Sequence, residues 1–398
     1  MSLANGRHYL AIPGPSVMPD RVLQAMHRPA PNIYYGEIVD MTASIATDLK
    51  RVARTQGEVA MYIANGHGVW EAALANVLSR GDGVLSLCTG RFGHGWADIA
   101  AALGADVSRI DFGEAAAVDP SRVSEALRAD TAHQIHAVTL VQVDTATSVK
   151  NDIAAVRAAL DDAGHPALLM VDCIACLGCD ALEMDDWGVD VMVTGSQKGL
   201  MTPPGMGFVF YSHRADEARA RADAVSPYWD WRPRTNPDLF YQYFFGTAPT
   251  HHLYGLRTAL DMILEEGVEP VWRRHAQLAE AVWAAMETWG HGGDIRPNIA
   301  DRADRSNAVT TVHMAGGHGA RLRAWLPDAV GVTLGIPLGE GLGDVPADDL
   351  FRIGHMGHVN GQMIMGVLGA VQAGMAALQI PHGKGGLDAA AEVIGQAA

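Results

Sequence analysis

Between residues 58 and 210, short apolar runs alternate with longer stretches whose apolar positions recur at helical spacing. The pattern predicts strands at 84–87, 107–111, 137–143, 167–171 and 189–194, and helices at 69–78, 95–103 and 152–163. The runs at 167–171 and 189–194 read as strands buried on both faces. Such alternation predicts an α/β fold with a mainly parallel sheet wrapped by helices, and ligands gather beyond the carboxyl ends of such strands. The pattern breaks at 222–250. There Pro, Trp and Arg crowd residues 226–234, which predicts an irregular loop. A helix follows at 254–266, with Leu256, Leu260 and Ile263 at helical spacing. Further on, a glycine-rich loop at 335–343 precedes a short strand at 350–354. The expected organisation is an N-terminal segment 1–20, a large domain 21–267 and a smaller α+β domain 268–398.

Length and composition agree with this picture. The chain has 398 residues, too many for one simple core and suited to two domains. Hydrophobic residues make up 48% and charged ones 19%, the balance of a folded enzyme rather than a disordered chain. A net charge of -16 without a basic stripe argues against nucleic acid as a partner. There is no apolar run of membrane-spanning length, no charged-then-apolar leader, and no retention or peroxisomal signal in residues 394–398. The expectation is a cytoplasmic protein with no membrane partner.

The chemistry centres on Ser196-Gln197-Lys198-Gly199, which closes a buried strand and leads into Pro203-Pro204-Gly205. An amine shielded at a strand end loses its preference for the ammonium form, so its pKa falls and it becomes a nucleophile for carbonyl compounds. Asp172 ends the apolar run 167–171, where an acid needs a cation or several donors. Asn65-Gly66-His67-Gly68 opens the helix at 69–78, a place where free N–H groups suit a phosphate. Arg352, in a short apolar strand, has the planar fork that grips a carboxylate. Thr145-Ala146-Thr147-Ser148 offers small hydroxyls after another strand end.

Three competing readings are weaker. Cys173, Cys176 and Cys179 read C-x-x-C-x-x-C, but that spacing at a strand end splays the sulfurs, and only Cys88 remains as a fourth ligand. Buried, reduced thiols are expected instead. His355-x-x-His358 and His251-His252 lack a clustered third metal ligand. The glycines at 90, 93 and 95 between strands at 84–87 and 107–111 suggest a nicotinamide oxidoreductase. Their spacing is G-x-x-G-x-G, not the dinucleotide fingerprint.

Taken together, these segments resemble the class V, fold-type I pyridoxal-phosphate (PLP) aminotransferases, close to the serine/alanine–glyoxylate and pyridoxamine–pyruvate group. The matching stretches are Pro13-Gly14-Pro15-Ser16, Gly66-His67-Gly68 with Trp70 to Asn76, Val171-Asp172 with Leu177-Gly178, Gly195 to Gly199 with Pro203-Pro204-Gly205, and Arg352 to Gly357. They run in the family's order over nearly the whole chain. The resemblance implies a PLP-binding large domain and a ping-pong aminotransferase. It would move an amino group from a small amino acid to a 2-oxo acid, glyoxylate or pyruvate, with an amine–pyruvate enzyme as the alternative.

By the same resemblance Lys198 would carry the cofactor, Asp172 would pair with its pyridine nitrogen, and Phe92 would stack on its ring. Gly66, His67, Gly68 and Gln197 would hold the phosphate, Thr145 or Thr147 the phenolic oxygen, and Ile174 would line the ring site. Arg352 would take the substrate carboxylate, with Gly14, Tyr34 and Tyr35 nearby. Thr247 would complete the phosphate site of a neighbouring subunit, which implies a homodimer. Several positions depart from the family. Phe244 replaces a tyrosine, Cys176 a serine, and Ser148-Val149 stands where relatives have Thr-Gly or Ser-Gly. The Trp229/Trp231/Arg232/Arg234 loop is expected to shape a side-chain pocket.

Overall fold

The computed structural model describes residues 2–396; Met1 and, from the C-terminal residues read above, Ala397 and Ala398 lie outside it. The strands in chain order are β1 (Tyr9–Ala11), β2 (Glu58–Tyr62), β3 (Gly83–Cys88), β4 (Asp106–Asp111), β5 (Ile135–Val141), β6 (Leu168–Asp172), β7 (Val191–Gly195) and β8 (Gly207–Tyr211). They continue as β9 (Ile295–Pro297), β10 (Val309–Met314), β11 (Val332–Leu334), β12 (Gly341–Leu342), β13 (Val345–Pro346) and β14 (Leu350–Gly354). Seven of them form one sheet in the order β2-β8-β7-β6-β5-β3-β4. All neighbours are parallel except β8, which runs antiparallel to both β2 and β7. The five strands expected from the apolar runs are all present within about two residues, as boundary reading allows. Strands β2 and β8 were not among them.

The central strands β6, β7 and β8 are buried at every position, whereas the edge strand β4 is polar and mostly exposed. Leu85, Leu87, Leu169 and Val171 face a core shared with the helices Glu37–Ala53 and Thr250–Glu266. Their alternates Val84, Leu168 and Met170 face Trp70, Leu74 and Trp96 on the opposite side. This period-2 division places two cores around one sheet. A further core lies around β9, β10 and β14 and four helices, among them Val268–Gly290 and Gly361–Ala377. The N-terminal β1 pairs with β11 of that region, so the chain's start is tied to its last third.

Two local differences from the sequence expectation have clear causes. The helix expected at 95–103 begins earlier, at Arg91–Ala102, since Gly93 and Gly95 are where the helix packs closely on Cys88 and Trp70. The expected loop at 226–234 runs into the short helix Arg232–Thr235 and locks the fold, and its Trp and Arg side chains do not line the cavity of their own chain. Trp231 is fully buried, stacks on Tyr211 with centroids 4.1 Å apart, and donates Nε1–H to Asp216 (3.0 Å). The buried Arg234 donates to the carbonyls of Met61, Tyr243 and Tyr228, and Trp229 donates to Glu71 (3.0 Å). These bonds clamp the β2–β8 edge to the helix Gly66–Val77. Replacing Trp231 by alanine is therefore expected to cost about 3–5 kcal/mol. A urea midpoint unchanged from the parent protein would contradict that expectation.

Candidate active site

Strands β5, β6 and β7 are adjacent and parallel, so their carboxyl ends open on one side of the sheet. A cavity of about 170 Å3 lies there, lined by Gly66, His67, Trp70, Phe92, Thr145, Asp172, Ile174, Gln197 and Lys198, with Asn65, Val143 and Ala175. Asp172 is the last residue of β6, Thr145 follows β5, and Lys198 follows β7. Residues far apart in sequence meet because parallel strands deliver their ends to one edge.

Asp172 is 4% exposed and accepts two hydrogen bonds, from the Ile174 N–H (2.6 Å) and from Trp70 Nε1–H (2.8 Å). Burial dominates and pushes its pKa up to about 7, against the opposing pull of those donors and of Lys198. Burial likewise pulls the Lys198 amine down to about 8; the guanidinium of Arg352 lowers it further and Asp172 works the other way. The Lys198 ammonium donates to the Pro13 carbonyl. A Cβ at Gly14 would stand 2.4 Å from Nζ, so only glycine leaves the lysine room.

Arg352, in β14, is buried, and burial brings its pKa down to about 10. It donates Nη1–H to the Thr145 carbonyl (2.7 Å) and Nε–H to the Ile336 carbonyl (2.6 Å). These bonds fix the guanidinium behind Thr145; Arg352 does not itself line the cavity, though its charge reaches Lys198. Phe92 faces the cavity edge-on to Trp70 at 6.1 Å, and His67 lies against the same indole at 4.7 Å.

Other expected site residues fall elsewhere. Thr147 is fully buried and turns its hydroxyl to the Thr89 carbonyl (3.2 Å), which leaves Thr145 as the threonine at the cavity. The Gly68 N–H is taken by the Asn65 side chain (3.2 Å), so it is not free for an anion. Tyr34 and Tyr35 are 84% and 73% exposed and do not line the cavity of their own chain, because they belong to an open segment between two helices. Thr247 is exposed and outside it too. Phe244 is packed in the core, not at the cavity. The four thiols are buried, and Cys176 donates to Gln142 Oε1 (2.8 Å).

Two residues were missed from sequence. Trp70 was noted only as part of a motif, yet a buried indole N–H needs an acceptor, and Asp172 provides it. Asp144 follows buried β5 much as Asp172 ends β6, and the same reasoning about an acid at a strand end applies to it. Its carboxylate accepts the Phe92 N–H (2.7 Å), filling the helix start that a dinucleotide would need. A buried acid at that helix start argues against a bound dinucleotide phosphate there.

The profile of the family Aminotransferase class-V matches residues 70–337. The chain belongs to the class V aminotransferases. It is 38% identical to a serine–glyoxylate aminotransferase of Methylorubrum extorquens over 92% of this chain and 90% of the relative. It is 36% identical to an L-aspartate–glyoxylate aminotransferase of Paracoccus denitrificans over 96% and 94%. The crystal structure of pyridoxamine–pyruvate aminotransferase from Mesorhizobium loti superposes with a TM-score of 0.89 at 26% identity, covering 100% of both chains. As a class V aminotransferase of fold type I, this chain is a transaminase of a PLP-dependent family.

The electrostatics of the cavity yield a test. In cofactor-free protein, acylation of Lys198 followed by peptide mass spectrometry is expected to rise through pH 8, not through the usual lysine range near 10.5. Arg352→Met removes a cation and moves the midpoint up; Asp172→Asn removes an anion and moves it down. A wild-type midpoint above pH 10 contradicts the shielded-amine picture.

Proposed function

We propose that this transaminase binds PLP on Lys198 and moves an amino group from a small amino acid of the serine, alanine or aspartate type to glyoxylate or pyruvate by a ping-pong mechanism. The observation that carries this reading is the meeting of a buried amine and a buried acid in one cavity, with a fixed guanidinium at its side. The residues suit the cofactor. Gln197 lines the cavity and its side-chain amide can donate through Nε2. The N–H groups of Gly66 and His67 at the start of the helix Gly66–Val77 have no partner among the described residues, whereas that of Gly68 goes to Asn65. The glyoxylate relatives support the acceptor, and the pyridoxamine–pyruvate structure supports the amine–pyruvate alternative.

PLP, when bound, supplies an electron sink for the pair left on the substrate Cα once its proton departs. The chain's own residues do the rest. Asp172, held by Trp70 and Ile174, would present its carboxylate to the pyridine nitrogen and favour a proton there. Of the residues that line the cavity, Phe92 would lie against the ring, Thr145 would be available to the phenolic oxygen, and Gly66, His67 and Gln197 would hold the phosphate. Arg352 grips the substrate carboxylate, which orients the Cα–H toward Lys198. Lys198 Nζ takes the Cα proton, and an amine near its neutral form at working pH is suited to that task.

The large domain 21–267 carries the cofactor, with the segment 1–20 and the domain 268–398 closing over it. The assembly is a cytoplasmic homodimer in which Thr247 reaches the neighbour's phosphate site; any substrate role of Tyr34 and Tyr35 likewise needs that second copy. Among the described residues, no helix is long and apolar enough to cross a membrane.

Lys198→Ala is expected to abolish the yellow PLP chromophore and to lower turnover by at least about 10²–10⁴. Colour and turnover surviving that change would contradict the assignment. A donor–acceptor activity matrix on the purified protein separates the glyoxylate reading from the amine–pyruvate alternative.

A further inference from the structure

The turn 144–148 is held from two sides. Toward the large sheet, the fully buried Asp144 accepts the Phe92 N–H through Oδ2 (2.7 Å) and the Ala146 N–H through Oδ1 (2.9 Å). Gly90, at the N-cap of the helix Arg91–Ala102, has no side chain to cap it. Asp144 therefore satisfies, from a distant strand end, a donor the helix leaves open. A Cβ at Gly90 would stand 2.6 Å from Asp144 Cγ, so carboxylate and helix start are in direct contact.

Toward the other core, three successive carbonyls each take one side chain. Thr145 takes Arg352 Nη1 (2.7 Å), Ala146 takes Thr311 Oγ1 (3.0 Å) and Thr147 takes Asn298 Nδ2 (2.8 Å). Ser148 sits at φ 64, in a left-handed region uncommon for residues other than glycine. Its hydroxyl accepts the Thr311 N–H (3.1 Å), and its own N–H bonds the Asp144 carbonyl (2.7 Å). Such strain persists where the surroundings over-determine it.

We propose that Asp144 is a positioning residue, which fixes Phe92 and Arg352 relative to each other through the 144–148 turn. The inference rests on the roles given above to those two residues, and adds one that touches neither cofactor nor substrate. Phe92 and Arg352 stand on different cores, and a hydrogen-bonded path joins them: Phe92 N–H to the Asp144 carboxylate, along the turn, and from the Thr145 carbonyl to Arg352. Loss of the carboxylate lets the turn relax. A misplacement of about 1 Å at a reacting centre costs up to about a hundredfold in rate.

Asp144→Asn keeps the shape, but its amide nitrogen accepts nothing, so one of the two N–H groups loses its partner. The PLP-loaded variant is expected to keep the chromophore, to show an altered visible circular dichroism band, and to run the alanine half-reaction about tenfold or more slower. Affinity for propionate, which has alanine's carboxylate and no amine, falls with it. Gly90→Ala, which pushes the carboxylate aside without changing charge, is expected to act in the same direction. In wild-type holoenzyme, saturating propionate is expected to slow amide exchange at Phe92, a measurement that needs no variant. A folded Asp144→Asn protein with wild-type dichroism, half-reaction rate and propionate affinity overturns the proposal, as does propionate binding that leaves Phe92 exchange unchanged. Absence of the chromophore from the wild-type protein overturns the functional reading itself, and this inference with it.

Discussion

Desolvation of opposite charges at one edge of a sheet is the constraint on which the rest of the structure depends. Burial raises the pKa of Asp172 and lowers that of Lys198, so each is displaced toward its neutral form, while their mutual attraction acts against both shifts. Neither group pays for its burial alone. Asp172 draws on an indole and a backbone N–H, and Lys198 on the Pro13 carbonyl. Glycine at position 14 makes room for the lysine, and the buried tryptophan at 70 supplies a donor to the acid.

A second constraint comes from Arg352. A guanidinium held away from water needs its hydrogens placed, and here two carbonyls take them from opposite sides. One of those carbonyls belongs to the turn that Asp144 closes. Charge placement in the core around β14 and aromatic placement beside Trp70 thus share a short piece of backbone. This explains why a left-handed serine is tolerated there: several tertiary bonds converge on the turn and outweigh its local preference.

The tryptophan- and arginine-rich loop teaches the opposite lesson. Its composition suggested the wall of a side-chain pocket, but most of its polar groups bond within the fold. Trp231, Arg234 and Trp229 bond to Asp216, Met61 and Glu71 along the β2–β8 edge, and none of the three lines the cavity of their own chain. Unusual composition identifies strong interactions without saying whether their partner is inside or outside the molecule.

Sequence alone determined the mainly parallel sheet, because apolar runs with intervening helical periodicity leave few other ways to bury themselves. It also determined the lysine, the acid and the glycine-opened helix as candidate chemistry, since each sits where a strand or helix ends and polar groups lack local partners. Tertiary structure decided what depends on distant groups. It turned Thr147 away and Thr145 inward, gave the Gly68 N–H to Asn65, and kept Tyr34 and Tyr35 out of their own chain's cavity. It also brought Trp70 to Asp172 and Asp144 to the helix of Phe92. Local periodicity specifies which way a backbone runs, whereas the orientation of a polar side chain is set by whichever partner the packed fold puts within reach.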